Sequence, residues 1–525
     1  MSISATKLAR QTIRELLELG ICDFVISPGS RNAPLSIAVY EAAERGLADL
    51  HVRIDERGAG FYALGVAKVI QQYVVVICTS GTAVANYHPS ALEAFHSDVN
   101  VLYLTADRPA RLRNTGANQT TLQPGLLAPV ESFDTATPLD LSEILIGGPV
   151  HINLQLDEPL IEKDAADWLS GFTLKEVLAD SISKETLEVN PSGVLIVGHD
   201  RAGFSAEQIN EFADILDWPV IAEDPLSIQS SLPHASIFLA DSGIREALHA
   251  DEVIIIGRTT LSRSINSFIS EATRKFVIDP RVEYIDTDRE ADRVFSTIPH
   301  VIKHATPQAW DQLWIDASSS AESLFEAGLP WSEQLALRVI TSNIPEDCAL
   351  FVGSSRPIRD IEACSLPQDC ISVFANRGLA GIDGNIATAL GIASRFERGY
   401  AILGDITFLH DISALVNTTS DNLTIFLIDN NGGGIFSTLP QASTPGFESL
   451  FGTPHNLDLE RVVSGFSVSV QKAKSEADLV QAISARHEGL HVVIVEVPTR
   501  NENALELSEL YQRVAKAVRI GINLA

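Results

Sequence analysis

Positive charge is scarce in this sequence: 38 lysines and arginines face 68 aspartates and glutamates, for a net charge of −30. Nonspecific binding to nucleic acid or to an anionic membrane needs a basic surface, so both are excluded. Cysteine is also sparse. Its five copies, Cys22, Cys78, Cys348, Cys364 and Cys370, are odd in number, scattered and without a CxxC pair. That pattern argues against a disulfide scaffold or a structural zinc site and fits a reducing cytoplasm. No run of about 18 apolar residues occurs, so no membrane span is expected. The opening segment MSISATKLARQTIRELLELG interleaves apolar positions with Lys7, Arg10, Arg14, Glu15 and Glu18, which reads as an amphipathic helix and not as a secretory signal. Nor does any G-x-G-x-x-G follow a predicted strand with an acid about 20 residues on, so a dinucleotide dehydrogenase lacks its fingerprint.

What the chain does have is length and rhythm. Its 525 residues, 45% hydrophobic and 20% charged, suffice for about three packed domains. Strands are predicted in DFVIS (23–27), YVVVICTS (73–80), NVLYLTA (100–106), HINLQL (151–156), GVLIVG (193–198), DEVIIIG (251–257) and KFVIDP (275–280). Further on, CALFVG, CISVFAN, GYAILGD, LTIFLIDNN and HVVIVEVP repeat the pattern. Near-continuous apolar strands alternating with helical stretches belong to parallel sheets covered on both faces. Polar segments at 157–190 and 303–331 interrupt the rhythm, the second containing DASSSAES and AGLP. The expected fold is therefore α/β, with three doubly wound domains over residues 1–175, 185–320 and 331–525. In such sheets ligands sit beyond the carboxyl ends of the strands.

Two of those strand ends carry oxygen ligands. YAILGD closes with Gly404-Asp405, and Asn430-Asn431 follows 25 residues after Asp405 in FLIDNNGGGIF. One strand–helix–strand unit has about that length. A carboxylate, a carboxamide and the carbonyl of Gly432 together suit a hard cation, Mg²⁺ or else Mn²⁺. Gly432, Gly433 and Gly434 would let backbone approach phosphate oxygens closely. Taken alone, Asp405 is equally a helix cap and Asn430-Asn431-Gly432 a tight turn.

The paired Gly-Asp and Asn-Asn resemble the cofactor motif of the thiamin diphosphate (ThDP) enzyme superfamily, with Ile406 where that motif often has glycine. The resemblance implies an acid that hydrogen-bonds the cofactor's aminopyrimidine ring. Glu56 in HVRIDERGAGFYALGVAK is the candidate and Asp55 its competitor. It also implies a pyrimidine-binding domain in 1–175, a middle domain in 185–320 and a diphosphate-binding domain in 331–525. The pyrimidine domain of one subunit would meet the diphosphate domain of another, so active sites would lie between subunits of a homodimer or homotetramer.

Arg31 in SPGSRNAP, Arg108 in TADRPARL, Arg359 in GSSRPIRDIE and Arg377 in FANRGLAGIDG all follow apolar strands. Singly each reads as a solvated side chain; together they suggest a cavity for a polyanion. SPGSRNAPL, DERGAGFYALG, TADRP, GANQT, NRGLAGIDG, GDITFLHD and NNGGGIF occur in the order seen in the MenD family, the 2-succinyl-5-enolpyruvyl-6-hydroxy-3-cyclohexene-1-carboxylate (SEPHCHC) synthases of menaquinone biosynthesis. The resemblance runs from about residue 7 to about 440 and is faint in the middle. It implies a cytoplasmic transferase that decarboxylates 2-oxoglutarate and adds the succinyl carbanion equivalent to isochorismate in a 1,4 sense. Carried over by position, Glu56 is catalytic, while Asp405, Asn430 and the Gly432 carbonyl hold the metal. Ser355, Ile382, Gly404, Ile406, Thr407 and Ile435 contact the cofactor. Ser30, Arg31, Arg108, Asn118, Gln119, Arg263, Arg359, Arg377, Phe436 and Leu439 meet the substrates. Ile382 and Phe436 read equally well as core. Two departures stand out: Asp429 where the family favours a third asparagine, and Arg263-Ser264 where it has two basic residues. The rival readings are another ThDP decarboxylase or carboligase of acetolactate synthase type, which does not need the four arginines, and a non-catalytic nucleotide-binding α/β protein.

Overall fold

The computed structural model describes residues 3–162, 167–174, 185–281, 290–303, 305–368, 371–416, 422–466, 468–485 and 487–524. The chain divides into two compact units. The first comprises Met1–Asp180, Gly378–Gly399 and Phe408–Leu423. Its sheet is built from β1 (Asp23–Ile26), β2 (Asp49–Val52), β3 (Val74–Cys78), β4 (Val101–Asp107), β5 (Glu131–Thr135) and β6 (Val150–Gln155) in the order β2-β1-β3-β4-β6-β5. Every neighbouring pair is parallel. The all-apolar β3 is buried along its whole length, as a central parallel strand must be, whereas the edge strands β2 and β5 are half exposed. The amphipathic N-terminal segment is the helix Ala5–Glu18, which buries Leu8, Ala9, Ile13, Leu16 and Leu17 against the sheet's core.

Two helices of this unit meet at backbone distance. A Cβ on Gly65, in the helix Glu56–Ile70, would run into the carbonyl of Thr388, and one on Gly391, in the helix Asn385–Ala393, would run into the carbonyl of Tyr62. The absence of side chains at both positions lets the axes approach this closely. At the start of the second helix, the buried Asp411 carboxylate accepts the Ala387 N–H at 2.9 Å, the position of an N-terminal cap.

The second unit comprises Ser181–Arg377, Tyr400–Thr407 and Thr424–Ala525. It holds β7 (Thr186–Glu188), β8 (Val194–Val197), β9 (Val220–Ala222), β10 (Glu252–Ile256), β11 (Arg274–Ile278), β12 (Arg293–Phe295) and β13 (His300–Ile302). These form a five-stranded sheet, β12-β11-β10-β8-β9, and a β13-β7 pair. The remaining strands are β14 (Cys348–Val352), β15 (Ile371–Phe374), β16 (Gly399–Gly404), β17 (Leu423–Asp429), β18 (Ser469–Ala473) and β19 (His491–Glu496), ordered β15-β14-β16-β17-β19-β18. In that order the winding reverses between β14 and β16, so the loops after these two strands flank the crevice where a doubly wound sheet binds ligands. The equivalent point of the five-stranded sheet lies between β8 and β10. There Gly198 and Gly257 abut the backbone of Arg258 and Asp200, and Asp200 pairs with Arg258 at 2.8 Å and Arg281 at 2.9 Å.

One expectation fails. Most of the segment 303–331, read as irregular, is the 19-residue helix Gln308–Glu326. Its serine-rich sequence looks like linker, but Trp314, Ala317, Ser318, Ala321 and Phe325 recur at helical spacing and are buried.

The Gly65–Gly391 contact has a direct test. Gly65→Ala should lower unfolding free energy by roughly 1–3 kcal/mol in denaturant titration, because the added methyl meets a carbonyl that cannot step aside. Unchanged stability would mean the two helices do not touch through their backbones.

Candidate active site

The oxygen ligands expected from the sequence come together at the β14/β16 crevice of the second unit. Asp405 follows β16 and is 2% exposed. Its Oδ1 accepts the Ile406 N–H at 2.6 Å, and its Oδ2 accepts the Gly432 N–H at 2.7 Å. The second bond ties the end of β16 to the turn after β17. Asn430 in that turn donates from Nδ2 to Glu333 Oε1, which turns the carboxamide oxygen the other way. That oxygen, Asn430 Oδ1, is buried and has no hydrogen-bond partner among the described residues. A buried acceptor left unmatched beside a buried carboxylate is the donor set a hard cation satisfies, so these residues fit Mg²⁺ or Mn²⁺.

The glycines of the turn serve a second purpose. Gly432 has φ +138°, and a Cβ there would strike the Gly452 carbonyl; one on Gly433 would strike that of Phe451. Gly433 N–H donates to Gly452 O at 2.8 Å. The segment 451–452, the end of the helical turn Glu448–Gly452, therefore lies against the turn and brings His455 with it. His455 Nδ1 accepts the Leu457 N–H at 3.0 Å, so its proton sits on Nε2, which faces Asp405 Oδ2 at 3.2 Å and Asp429 Oδ1 at 3.7 Å. That bond to Asp405 raises the imidazole's pKa above its ordinary value. Asp429 thereby acquires a place: its Oδ1 accepts the Asn431 N–H at 3.2 Å, and burial, then the Asp405 charge, push its pKa up.

Beside this cluster is a cavity of about 620 Å³ lined by Arg263, Arg356, Arg359, Glu362, Leu439 and Tyr511, among others. Arg359 donates to the carbonyl of Ser355, which sits at φ +79° ahead of the helix Arg356–Cys364. Arg263, exposed at the start of the helix Arg263–Glu271, reaches the same cavity. Arg377 is 5% exposed and bonds Thr260 Oγ1 at 2.7 Å. Phe436 is partly buried against the Phe451 ring, 5.6 Å away, and Ile435 lies in the same short helical turn, Gly434–Thr438. Thr407 is buried and Ile406 partly so.

The other candidates belong to the first unit. Asp55 is the N-cap of the helix Glu56–Ile70, with Oδ1 on Arg57 N–H at 3.0 Å and Oδ2 on Ser413 Oγ at 2.6 Å. Both of its oxygens are occupied, whereas Glu56 accepts a long 3.4 Å contact from Asn86. At the β1/β3 switch point Arg31 N–H bonds Thr79 Oγ1 at 3.2 Å, and its guanidinium meets Glu158 at 3.1 Å. Arg108, after β4, bonds Ser80 Oγ at 2.9 Å and the Gln119 carbonyl at 2.7 Å. Its pKa is lowered by burial and then by Arg31, so the two guanidinium groups are near neighbours. Ser30 and Asn118 are exposed in the same loops, and Ile382 lies partly buried in the loop before the helix Asn385–Ala393.

Comparison with known proteins identifies the family. Residues 6–126 match the N-terminal TPP binding domain of thiamine pyrophosphate enzymes, and residues 163–352 match the thiamine pyrophosphate middle domain. SEPHCHC synthase from Nocardioides sp. is 35% identical, covering 96% of this chain and 97% of that protein. The enzyme of the same name from Geobacillus kaustophilus is 34% identical over 99% of both. The chain belongs to the SEPHCHC synthase family. Membership makes it a thiamin diphosphate-dependent transferase of menaquinone biosynthesis that forms a carbon–carbon bond. The fold is shared more widely: benzoylformate decarboxylase from Polynucleobacter necessarius superposes with a TM-score of 0.67 at 16% identity, covering 95% of this chain and 99% of that one.

In this SEPHCHC synthase family member, His455, Glu333, Arg356 and Glu362 join the site without having been marked from sequence. His455 and Glu333 lie 50 and 97 residues from what they touch, whereas Arg356 and Glu362 share with Arg359 the segment GSSRPIRDIE after β14, in which Arg359 alone of the charged residues was singled out. Among the described residues no helix is long and apolar enough to cross a membrane.

Groups that orient metal ligands typically change metal affinity about 10–100-fold when removed. His455→Ala and Glu333→Ala should each weaken Mn²⁺ binding on that scale in calorimetric titration with ThDP present, with circular dichroism unchanged. Unaltered affinity in both would detach these residues from the metal site.

Proposed function

We propose that the chain catalyses ThDP- and metal-dependent SEPHCHC synthesis: decarboxylation of 2-oxoglutarate, then 1,4-addition of the remaining four-carbon unit to isochorismate, with CO₂ released. The observation that carries this reading is the cavity bearing Arg263, Arg356 and Arg359. Both substrates are dianions, and guanidinium groups bind carboxylates bidentately. In a chain of net charge −30, such a concentration of arginine is what allows an anionic substrate to enter. A plain 2-oxo acid decarboxylase has no comparable need for it.

Mg²⁺ or Mn²⁺ would be held by Asp405, Asn430 Oδ1 and the Gly432 carbonyl, where it would neutralise the cofactor's diphosphate. ThDP, when bound, supplies an electron sink for the charge left as CO₂ departs, which no side chain offers. Glu56 would hold the proton shared with the aminopyrimidine ring. Ser355, Ile382, Gly404, Ile406, Thr407 and Ile435 would orient the cofactor. Arg31, Arg108, Arg263, Arg359 and Arg377 would fix substrate carboxylates, helped by Ser30, Asn118 and Gln119, while Phe436 and Leu439 would exclude water from the forming bond. The chain would comprise pyrimidine-binding (1–175), middle (185–320) and diphosphate-binding (331–525) domains. It would work in the cytoplasm as a homodimer or homotetramer in which Glu56 of one subunit completes the site of another.

With ThDP, Mg²⁺ and both substrates, CO₂ release should match isochorismate loss; CO₂ without isochorismate loss would reduce the enzyme to a decarboxylase. Glu56→Gln should lower kcat by about 10²–10⁴-fold with ThDP still bound. Arg31→Ala and Arg359→Ala should raise KM or lower kcat and leave ThDP affinity nearly unchanged. Loss of ThDP binding in both would mark them as structural.

A further inference from the structure

Glu362 lines the substrate cavity three residues beyond Arg359 on the helix Arg356–Cys364, so the two share a helix face. It is 5% exposed, and its buried Oε1 has no hydrogen-bond partner among the described residues. Nearby, directly after β9, is a second buried acid, Glu223. The two differ in what surrounds them. Glu223 Oε1 accepts the Leu261 N–H at 2.7 Å and its Oε2 accepts the His199 N–H at 3.1 Å. Two neighbouring buried carboxyl groups cannot both ionise cheaply; burial raises the pKa of Glu223 too, but its backbone donors oppose that rise, so it is the better matched of the two as an ion.

We propose that Glu362 works as a neutral carboxylic acid that donates a hydrogen bond to a carboxylate of the bound substrate, beside the guanidinium groups of Arg359 and Arg263. The proposal rests on the reading of this cavity as a site for dicarboxylic substrates. Burial, then the Glu223 charge, raises the Glu362 pKa well above the carboxylate range, against the opposing pull of Arg359 and Arg377. The other groups facing it are Tyr511 from the helix Arg500–Gly521, Arg263 from its own helix, and Arg356 with Asp360, which pair with each other. An ionised Glu362 would repel a dianion. A protonated one offers an O–H to a carboxylate without that repulsion, the stronger charge-assisted kind of hydrogen bond.

The test measures KM for each substrate with the ThDP- and Mg²⁺-loaded enzyme between about pH 6 and 9. KM of the wild type for one substrate should climb severalfold toward alkaline pH as Glu362 loses its proton. Glu362→Gln, neutral and still a donor, should keep the neutral-pH KM and show a flat profile. Glu362→Leu should raise that KM roughly tenfold at every pH, the loss of about one hydrogen bond, with ThDP affinity unchanged. Identical pH profiles for wild type and Glu362→Gln would overturn the proposal, as would Glu362→Gln raising KM at neutral pH; if Glu362→Leu does not fold, that pair still decides. Should wild type bind ThDP yet form no product, the functional reading falls. Calorimetric binding of 2-oxoglutarate then judges Glu362: Kd should rise with pH in wild type and stay flat in Glu362→Gln, and equal behaviour would overturn it.

Discussion

A single buried carboxylate organises one end of the second unit. Asp405 emerges from the apolar strand β16 into a place where water does not reach it, and an ion there is unfavourable unless matched. The match is supplied by chain brought in from elsewhere: the Gly432 N–H after β17 and His455 beyond the crossing segment 451–452. The glycines after Asn430 follow from this, since only residues without Cβ let that segment lie against the turn. So does the aim of Asn430, held by Glu333 with its oxygen unmatched among the described residues. Among the described residues the Asn430 oxygen is left without a hydrogen-bond partner, and a cation would satisfy it.

The cavity next to it handles charge differently. Arg356 pairs with Asp360, whose Oδ1 also accepts a hydrogen bond from Gln334 Nε2 at 3.2 Å. Burial, followed by the Asp360 charge, raises the Glu333 pKa to about 7, with Arg356 opposing. Acids and arginines thus alternate from Asp405 and Asn430 to the cavity. A helix carrying Arg356, Arg359, Asp360 and Glu362 within seven positions places both signs on one rod, and each position is sorted by what packs on it.

Much of this was legible in the sequence because it is local. Continuous apolar runs mark parallel strands, and strand ends rich in Gly, Asp and Asn mark the crevice, so Asp405, Asn430 and the arginine loops could be singled out. Asp55 and Glu56 are adjacent acids with different surroundings that the sequence does not separate: Asp55 caps a helix through Oδ1 and accepts the Ser413 hydroxyl through Oδ2. His455, Glu333 and Glu362 were not legible, since 50 residues separate His455 from Asp405 and 97 separate Glu333 from Asn430. The helix Gln308–Glu326 was missed because its serines hid four apolar anchors.

The Gly65–Gly391 contact bears on motion as well as on packing. Two helices touching through backbone atoms have no side-chain layer to shear, so sliding or rolling the helix Glu56–Ile70 would drive neighbouring Cβ atoms into carbonyls. The carboxyl group of Glu56 therefore rides on a fixed base, and its only freedom is rotation about its own side-chain bonds. In the role proposed for Glu56, such a mount would hold the reach of its carboxyl group constant.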